Sequence, residues 1–138
     1  MKKASILVID DEPDNFDVIE TLLSLNLNKA SSRENYDYQL YYVANGEEAI
    51  LSLDTFEPDI ILLDVMMPGI DGIEVCGRIK AMSKWQSVPI IMVTALNSKE
   101  DLANCLKVGA DDFISKPVNG VELRARVNSM LRIKHQYD

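Results

Sequence analysis

Ile60-Ile61-Leu62-Leu63 is an unbroken aliphatic run that stops at Asp64, and no other stretch constrains the fold of this chain as strongly. Four apolar residues in succession, with no polar alternation, belong to a strand covered on both faces. Such strands occur in parallel sheets flanked by helices. In these sheets ligands gather beyond the carboxyl ends of the strands, so the carboxylate of Asp64, placed where its strand runs out, is a candidate site residue. The competing reading is structural: Asp commonly caps or turns a chain ahead of Pro and Gly, and Val65-Met66-Met67-Pro68-Gly69-Ile70-Asp71-Gly72 follows at once.

Ile6-Leu7-Val8-Ile9 is a second such run and ends in Asp10-Asp11-Glu12. Pro13 suits the first turn of a helix, where a missing N–H costs nothing, and Phe16, Ile19, Leu22 and Leu23 then recur at helical spacing. From about residue 25 to residue 39 the pattern gives way to polar residues; a solvated loop and a helix extension followed by a loop both fit. Leu40-Tyr41-Tyr42-Val43-Ala44 has the aromatic and β-branched content of a strand, Asn45-Gly46 reads as a turn, and Ala49, Ile50, Leu53 and Phe56 mark a second helix.

Beyond the Asp64 strand, Ile70, Ile73, Cys76 and Ile79 define a third helix, with Trp85 in the polar link after it. Pro89-Ile90-Ile91-Met92-Val93 is another buried-type strand, ending at Thr94-Ala95. Leu102, Cys105 and Leu106 give a fourth helix stopped by Gly109. Phe113-Ile114 forms a short last strand leading to Ser115-Lys116-Pro117, and Leu123, Val127, Met130 and Leu131 give a fifth helix that runs nearly to Asp138. Five strands alternating with five helices predict one α/β domain over residues 1–138, built on a doubly wound parallel sheet in the order 2-1-3-4-5.

Charge narrows the function classes. Lys and Arg total 14 against 22 Asp and Glu, and the resulting net charge of −8 repels phosphate backbones, which argues against direct nucleic-acid binding. Asp10-Asp11-Glu12 interrupts the first apolar run too early for a signal-peptide core, and no stretch approaches membrane-spanning length. Cys76 and Cys105 lie in helical patterns without metal-ligand spacing, so buried thiols in a reducing cytosol are the expectation. His135, the single histidine, has no chemical partner in view.

In the order 2-1-3-4-5 the first and third strands are neighbours, which brings Asp10, Asp11 and Asp64 together. Three carboxylates so close repel one another unless something neutralises them, and oxygen-only ligands in an open site suit Mg²⁺. Thr94 and Lys116 follow the fourth and fifth strands to the same rim. A carboxylate nucleophile, a cation, a hydroxyl and an ammonium together suit phosphoryl transfer, where positioning and charge neutralisation do most of the work. Taken singly, each residue has a structural alternative: helix capping for Asp10 and Asp11, a backbone hydrogen bond for Thr94, a surface charge for Lys116.

Val8-Ile9-Asp10-Asp11-Glu12-Pro13, Asp64-Val65-Met66-Met67-Pro68-Gly69-Ile70-Asp71-Gly72, Met92-Val93-Thr94-Ala95 and Gly109-Ala110-Asp111-Asp112-Phe113-Ile114-Ser115-Lys116-Pro117 resemble the signature segments of two-component response-regulator receiver domains, in that family's order. The resemblance implies a flavodoxin-like fold and a phosphoacceptor role for Asp64, supplied by the phosphohistidine of a sensor kinase or phosphotransfer protein. It further implies Mg²⁺ held by Asp11, Asp64 and the main-chain carbonyl of Met66, with Asp10 acting through a water. By the same likeness Lys116 contacts a phosphoryl oxygen, Thr94 swings in to bond another, and Phe113 follows inward. The face built from the fourth helix, fifth strand and fifth helix then changes shape for a downstream effector or a homodimer. In such domains the Lys116-Pro117 peptide is usually cis.

Two features depart from that pattern. Residues 25–39 make a longer connection than the family's, and the sequence ends after the fifth helix with no effector domain, which fits either a stand-alone protein or a piece of a longer one. Two other functions compete. A haloacid-dehalogenase-type phosphatase needs an acid two residues after the nucleophile, where this chain has Met66. A degenerate receiver that binds partners without phosphorylation keeps the same fold. Met66 and Leu96 beside the site offer no group to position water, so a long-lived phosphoryl group and only slow self-dephosphorylation are expected.

Overall fold

The aliphatic runs form the middle of a five-stranded parallel sheet in the order β2-β1-β3-β4-β5. The computed structural model describes residues 2–24, 36–95 and 99–137. Its elements are β1 (Lys2–Ile9), α1 (Pro13–Ser24), β2 (Tyr36–Val43), α2 (Gly46–Phe56), β3 (Ile60–Asp64), α3 (Gly72–Lys80), β4 (Ile90–Thr94), α4 (Lys99–Lys107), β5 (Asp112–Ser115) and α5 (Gly120–Tyr137). This is the doubly wound order predicted from the alternation of strands and helices.

Side chains along the central strands divide between the two faces of the sheet, as the pleat requires. Leu7, Ile9, Ile61, Leu63, Ile90 and Met92 pack with Ala49 and Leu53 of α2, Val75, Cys76 and Ile79 of α3, and Cys105 of α4. Ile6, Val8, Ile60, Leu62, Ile91 and Val93 pack on the other face with Ile19 and Leu23 of α1 and Leu123, Val127 and Leu131 of α5. Every residue of β3 and β4 is buried, which is why these strands read as continuous apolar runs.

Two local expectations are corrected. Residues 36–39 belong to β2 and pair with Lys2–Ser5 of β1, so the predicted loop over 25–39 is too long at its C-terminal end. Asp37 and Gln39 are exposed on this edge strand, and their polarity disguises it. The remainder of that stretch, residues 25–35, lies outside the described residues. Asn45-Gly46 is a helix start rather than a free turn: the Asn45 side chain accepts from the Glu48 N–H at 2.8 Å and caps α2. Trp85 does lie in the link after α3, and within it is buried against the face that carries α2 and α3.

Register then sets the site. Ile9 lies beside Leu63, Asp64 beside Val93, and Thr94 beside Ser115, so the residues that end or follow β1, β3, β4 and β5 meet along one rim of the sheet.

Candidate functional site

Asp10 follows β1 directly and is buried, and its carboxylate is held from several directions. The Glu12 N–H donates to Oδ1 at 2.9 Å, and the Asn15 side-chain amide reaches both carboxylate oxygens at 3.1 Å. Asn15 sits in the first turn of α1, which Pro13 starts. The Asp10 carbonyl accepts from the Tyr42 hydroxyl at 2.7 Å. Asp11, the next residue, is half-buried, and among the described residues no protein donor reaches its carboxylate.

Asp64 is the last residue of β3 and is 5% exposed. Its Oδ1 accepts from the Met66 N–H at 3.3 Å and lies 3.4 Å from Lys116 Nζ, which is itself 3.5 Å from Asp10 Oδ2. Burial is the largest influence on the Asp64 carboxyl and pushes it above its ordinary value; Lys116 opposes that, Asp10 reinforces it, and the Met66 N–H pulls it down. The turn after Asp64 is compact. Gly69 takes φ +80°, the Asp71 side chain caps α3 by accepting from the Glu74 N–H at 2.9 Å, and the Gly72 N–H donates to the Val65 carbonyl at 2.9 Å. A Cβ on Gly72 would stand 2.2 Å from the Asp64 carbonyl oxygen, so only glycine lets α3 start so close to the end of β3.

Thr94 ends β4 and is buried, and its carbonyl accepts from the Lys116 N–H at 2.9 Å. The Lys116-Pro117 peptide is cis. Phe113 lies on β5 beside Met92, half-buried against the core on the α2–α3 side. Met66 is 63% exposed next to the acids, and Leu96 falls outside the described residues. The rim therefore gathers Asp10, Asp11, Asp64 and Lys116 into one group, with Thr94 at the adjoining strand end and Phe113 further back on β5.

Ligand oxygens of Asp10, Asp11 and Asp64 lie within 4.8 Å of one another. Three carboxylates against one ammonium leave two negative charges uncompensated in a largely buried pocket, and every donor is a hard oxygen. That set fits a divalent cation of the Mg²⁺ class. Asp10 has both oxygens engaged by Glu12, Asn15 and Lys116, whereas Asp11 has its own available, which favours direct ligation by Asp11 over Asp10.

Sequence reasoning missed Asn15 and Tyr42. An amide in the first helical turn after an acidic strand end is a usable signal for Asn15. Tyr42 becomes visible only once β2 is placed beside β1, because its contact spans 32 residues.

The family model for the response regulator receiver domain matches residues 6–128. The alkaline phosphatase synthesis transcriptional regulatory protein PhoP of Bacillus subtilis is 40% identical over 127 residues, 92% of this chain and 48% of that protein. The transcriptional regulatory protein AfsQ1 of Streptomyces coelicolor is 41% identical over 128 residues, 93% of this chain and 51% of that protein. The chain thus spans about half the length of the curated relatives it matches. Among solved structures, the receiver domain of the Francisella response regulator 1452 superposes with a TM-score of 0.78 at 29% identity, covering 94% of this chain and 98% of that one. A match that begins in β1 and ends in α5 leaves no strand of the sheet outside it, and the chain accordingly belongs to the response-regulator receiver domain family, the signal receivers of phosphorelays.

Proposed function

We propose that Asp64 is the phosphoacceptor of this receiver, taking its phosphoryl group from the phosphohistidine of a sensor kinase or phosphotransfer protein. An Asp64 carboxylate oxygen forms the new bond to phosphorus as the P–N bond of the donor breaks, and the departing imidazole keeps that electron pair and picks up a proton. The observation that carries this reading is the placement of Lys116 Nζ, 3.4 Å from Asp64 Oδ1, beside a group of three carboxylates with charge to spare for a divalent cation. Asp11, Asp64 and the Met66 carbonyl would hold Mg²⁺, with Asp10 assisting through water. When bound, the cation supplies charge neutralisation for the carboxylates and for the oxygens of the transferring group.

Lys116 then pairs with a phosphoryl oxygen in place of the carboxylate it touches now. Thr94 hydrogen-bonds another oxygen, and Phe113 moves deeper toward the core, reshaping the face of α4, β5 and α5. That face serves a downstream effector or a second copy of the chain. The exposed thioether of Met66 neither donates nor accepts a proton usefully, so the acyl phosphate is long-lived. Incubation with acetyl phosphate and Mg²⁺, read by intact mass, tests the acceptor. Gel filtration with light scattering, with and without beryllofluoride, tests the output face.

A further inference from the structure

We propose that Tyr42 is a positioning residue for the acid pair Asp10–Asp11, acting through the backbone from the end of β2; this rests on the cation-binding role assigned to that pair. The Tyr42 hydroxyl donates to the Asp10 carbonyl at 2.7 Å. That carbonyl belongs to the peptide joining Asp10 to Asp11, so a single hydrogen bond fixes the plane from which both carboxylates project. From the same strand end, the Val43 carbonyl accepts from the Asp10 N–H at 3.2 Å. The last two residues of β2 therefore hold the main chain of Asp10 at its donor and at its acceptor.

The hydroxyl is itself held in place. The half-buried Tyr42 ring stacks on Phe16 of α1, with centroids 5.0 Å apart and planes 30° from parallel. One side chain thus ties β2, the β1–α1 turn and α1 together. The Asp10 carboxylate has further anchors in Glu12 and Asn15. Among the described residues the Asp11 carboxylate has none, so its aim depends on the backbone that Tyr42 fixes. A ligand aimed in advance loses less freedom when the cation arrives, and groups that orient ligands from outside govern metal affinity in this way.

Tyr42→Phe removes the hydroxyl and keeps the stacked ring. In the full chain, calorimetric Mg²⁺ titration should show the Kd rising about tenfold for this variant. Labelling from acetyl phosphate should need correspondingly more Mg²⁺, while the rate at saturating Mg²⁺ stays within about twofold of wild type. Phe16→Leu, which keeps the hydroxyl but loosens its support, should give a smaller rise. A Tyr42→Phe protein with wild-type Mg²⁺ affinity overturns the role of Tyr42 alone. So does one whose saturated rate and melting temperature fall together while its Mg²⁺ affinity holds, since that marks a purely structural contact. Wild-type protein that binds no Mg²⁺ overturns the cation reading and this inference with it.

Discussion

Lys116 Nζ stands 3.4 Å from Asp64 Oδ1, reaching from the residue after β5 to the last residue of β3 across the intervening strand β4. At 26% exposure its charge is only partly screened, and it is the one cation within salt-bridge distance of the buried acids among the described residues. In the proposed transfer it is the group that offsets charge on the phosphoryl. Lys116→Met should slow labelling from acetyl phosphate by about 100-fold. With the competing ammonium gone, Mg²⁺ should bind about threefold more tightly. Stopped-flow labelling and calorimetry report the two effects separately, and unchanged labelling would show that Lys116 does not act at Asp64.

The acid cluster should cost stability when no cation is present. Asp11 lies within 4.8 Å of two other carboxylates, and like charges at that range repel by about 1 kcal/mol each even at the dielectric of bulk water. Asp11→Asn should therefore raise the melting temperature of the metal-free protein by about 6 °C. Excess Mg²⁺ should stabilise wild type more than the variant. Thermal scans with EDTA and with Mg²⁺ check both halves, and a variant that melts lower than wild type in EDTA would show that the three acids do not repel.

Two glycines in the turn after Asp64 should respond differently to the same substitution. At Gly72 a Cβ would meet the Asp64 carbonyl oxygen at 2.2 Å and the Val65 Cα at 2.7 Å, and backbone cannot step aside cheaply. Gly72→Ala should cost about 3 kcal/mol and displace Asp64. At Gly69 nothing lies within 4 Å and only φ +80° stands against a side chain, so Gly69→Ala should cost about 1 kcal/mol. Urea denaturation of the two variants should reproduce that order.

Cys76 gives a pH dependence whose sign is fixed. Burial pushes its thiol up from 9.0 to about 11, with Lys80 opposing and Asp111 reinforcing the rise. The folded protein thus keeps a proton that the unfolded chain releases. The stability this contributes is whole below pH 9, and it is lost as pH climbs toward 11, by on the order of 2 kcal/mol. Cys76→Ala should flatten the alkaline limb of the stability curve relative to wild type. The native thiol should also resist alkylation at neutral pH and react freely on unfolding.

Much of this was legible in the residues because burial on both faces leaves a strong mark. Ile60–Leu63 and Ile90–Val93 could hardly be anything but central strands, and each delivers a polar residue, Asp64 or Thr94, to the rim at its end. The edge strand was harder to see: β2 alternates half-buried tyrosines with exposed Asp37 and Gln39, so its first half passes for loop. Trp85 lies in the link after α3, as its position in the pattern indicates, but its burial is hidden by the exposed neighbours Lys84 and Gln86. Tyr42 and Asn15 escaped because a hydroxyl or an amide has no periodicity. Their meaning depends on which backbone and which carboxylate the fold brings beside them.

In the proposed reaction the Asp64 carboxylate takes up a phosphoryl group. Intact-mass measurement after incubation with acetyl phosphate and Mg²⁺ tests it most directly, with Asp64→Asn treated in parallel. Wild type should gain one phosphoryl mass, dependent on Mg²⁺, and the variant none. Equal labelling of the two proteins, or none on folded wild type with Mg²⁺ present, would contradict it.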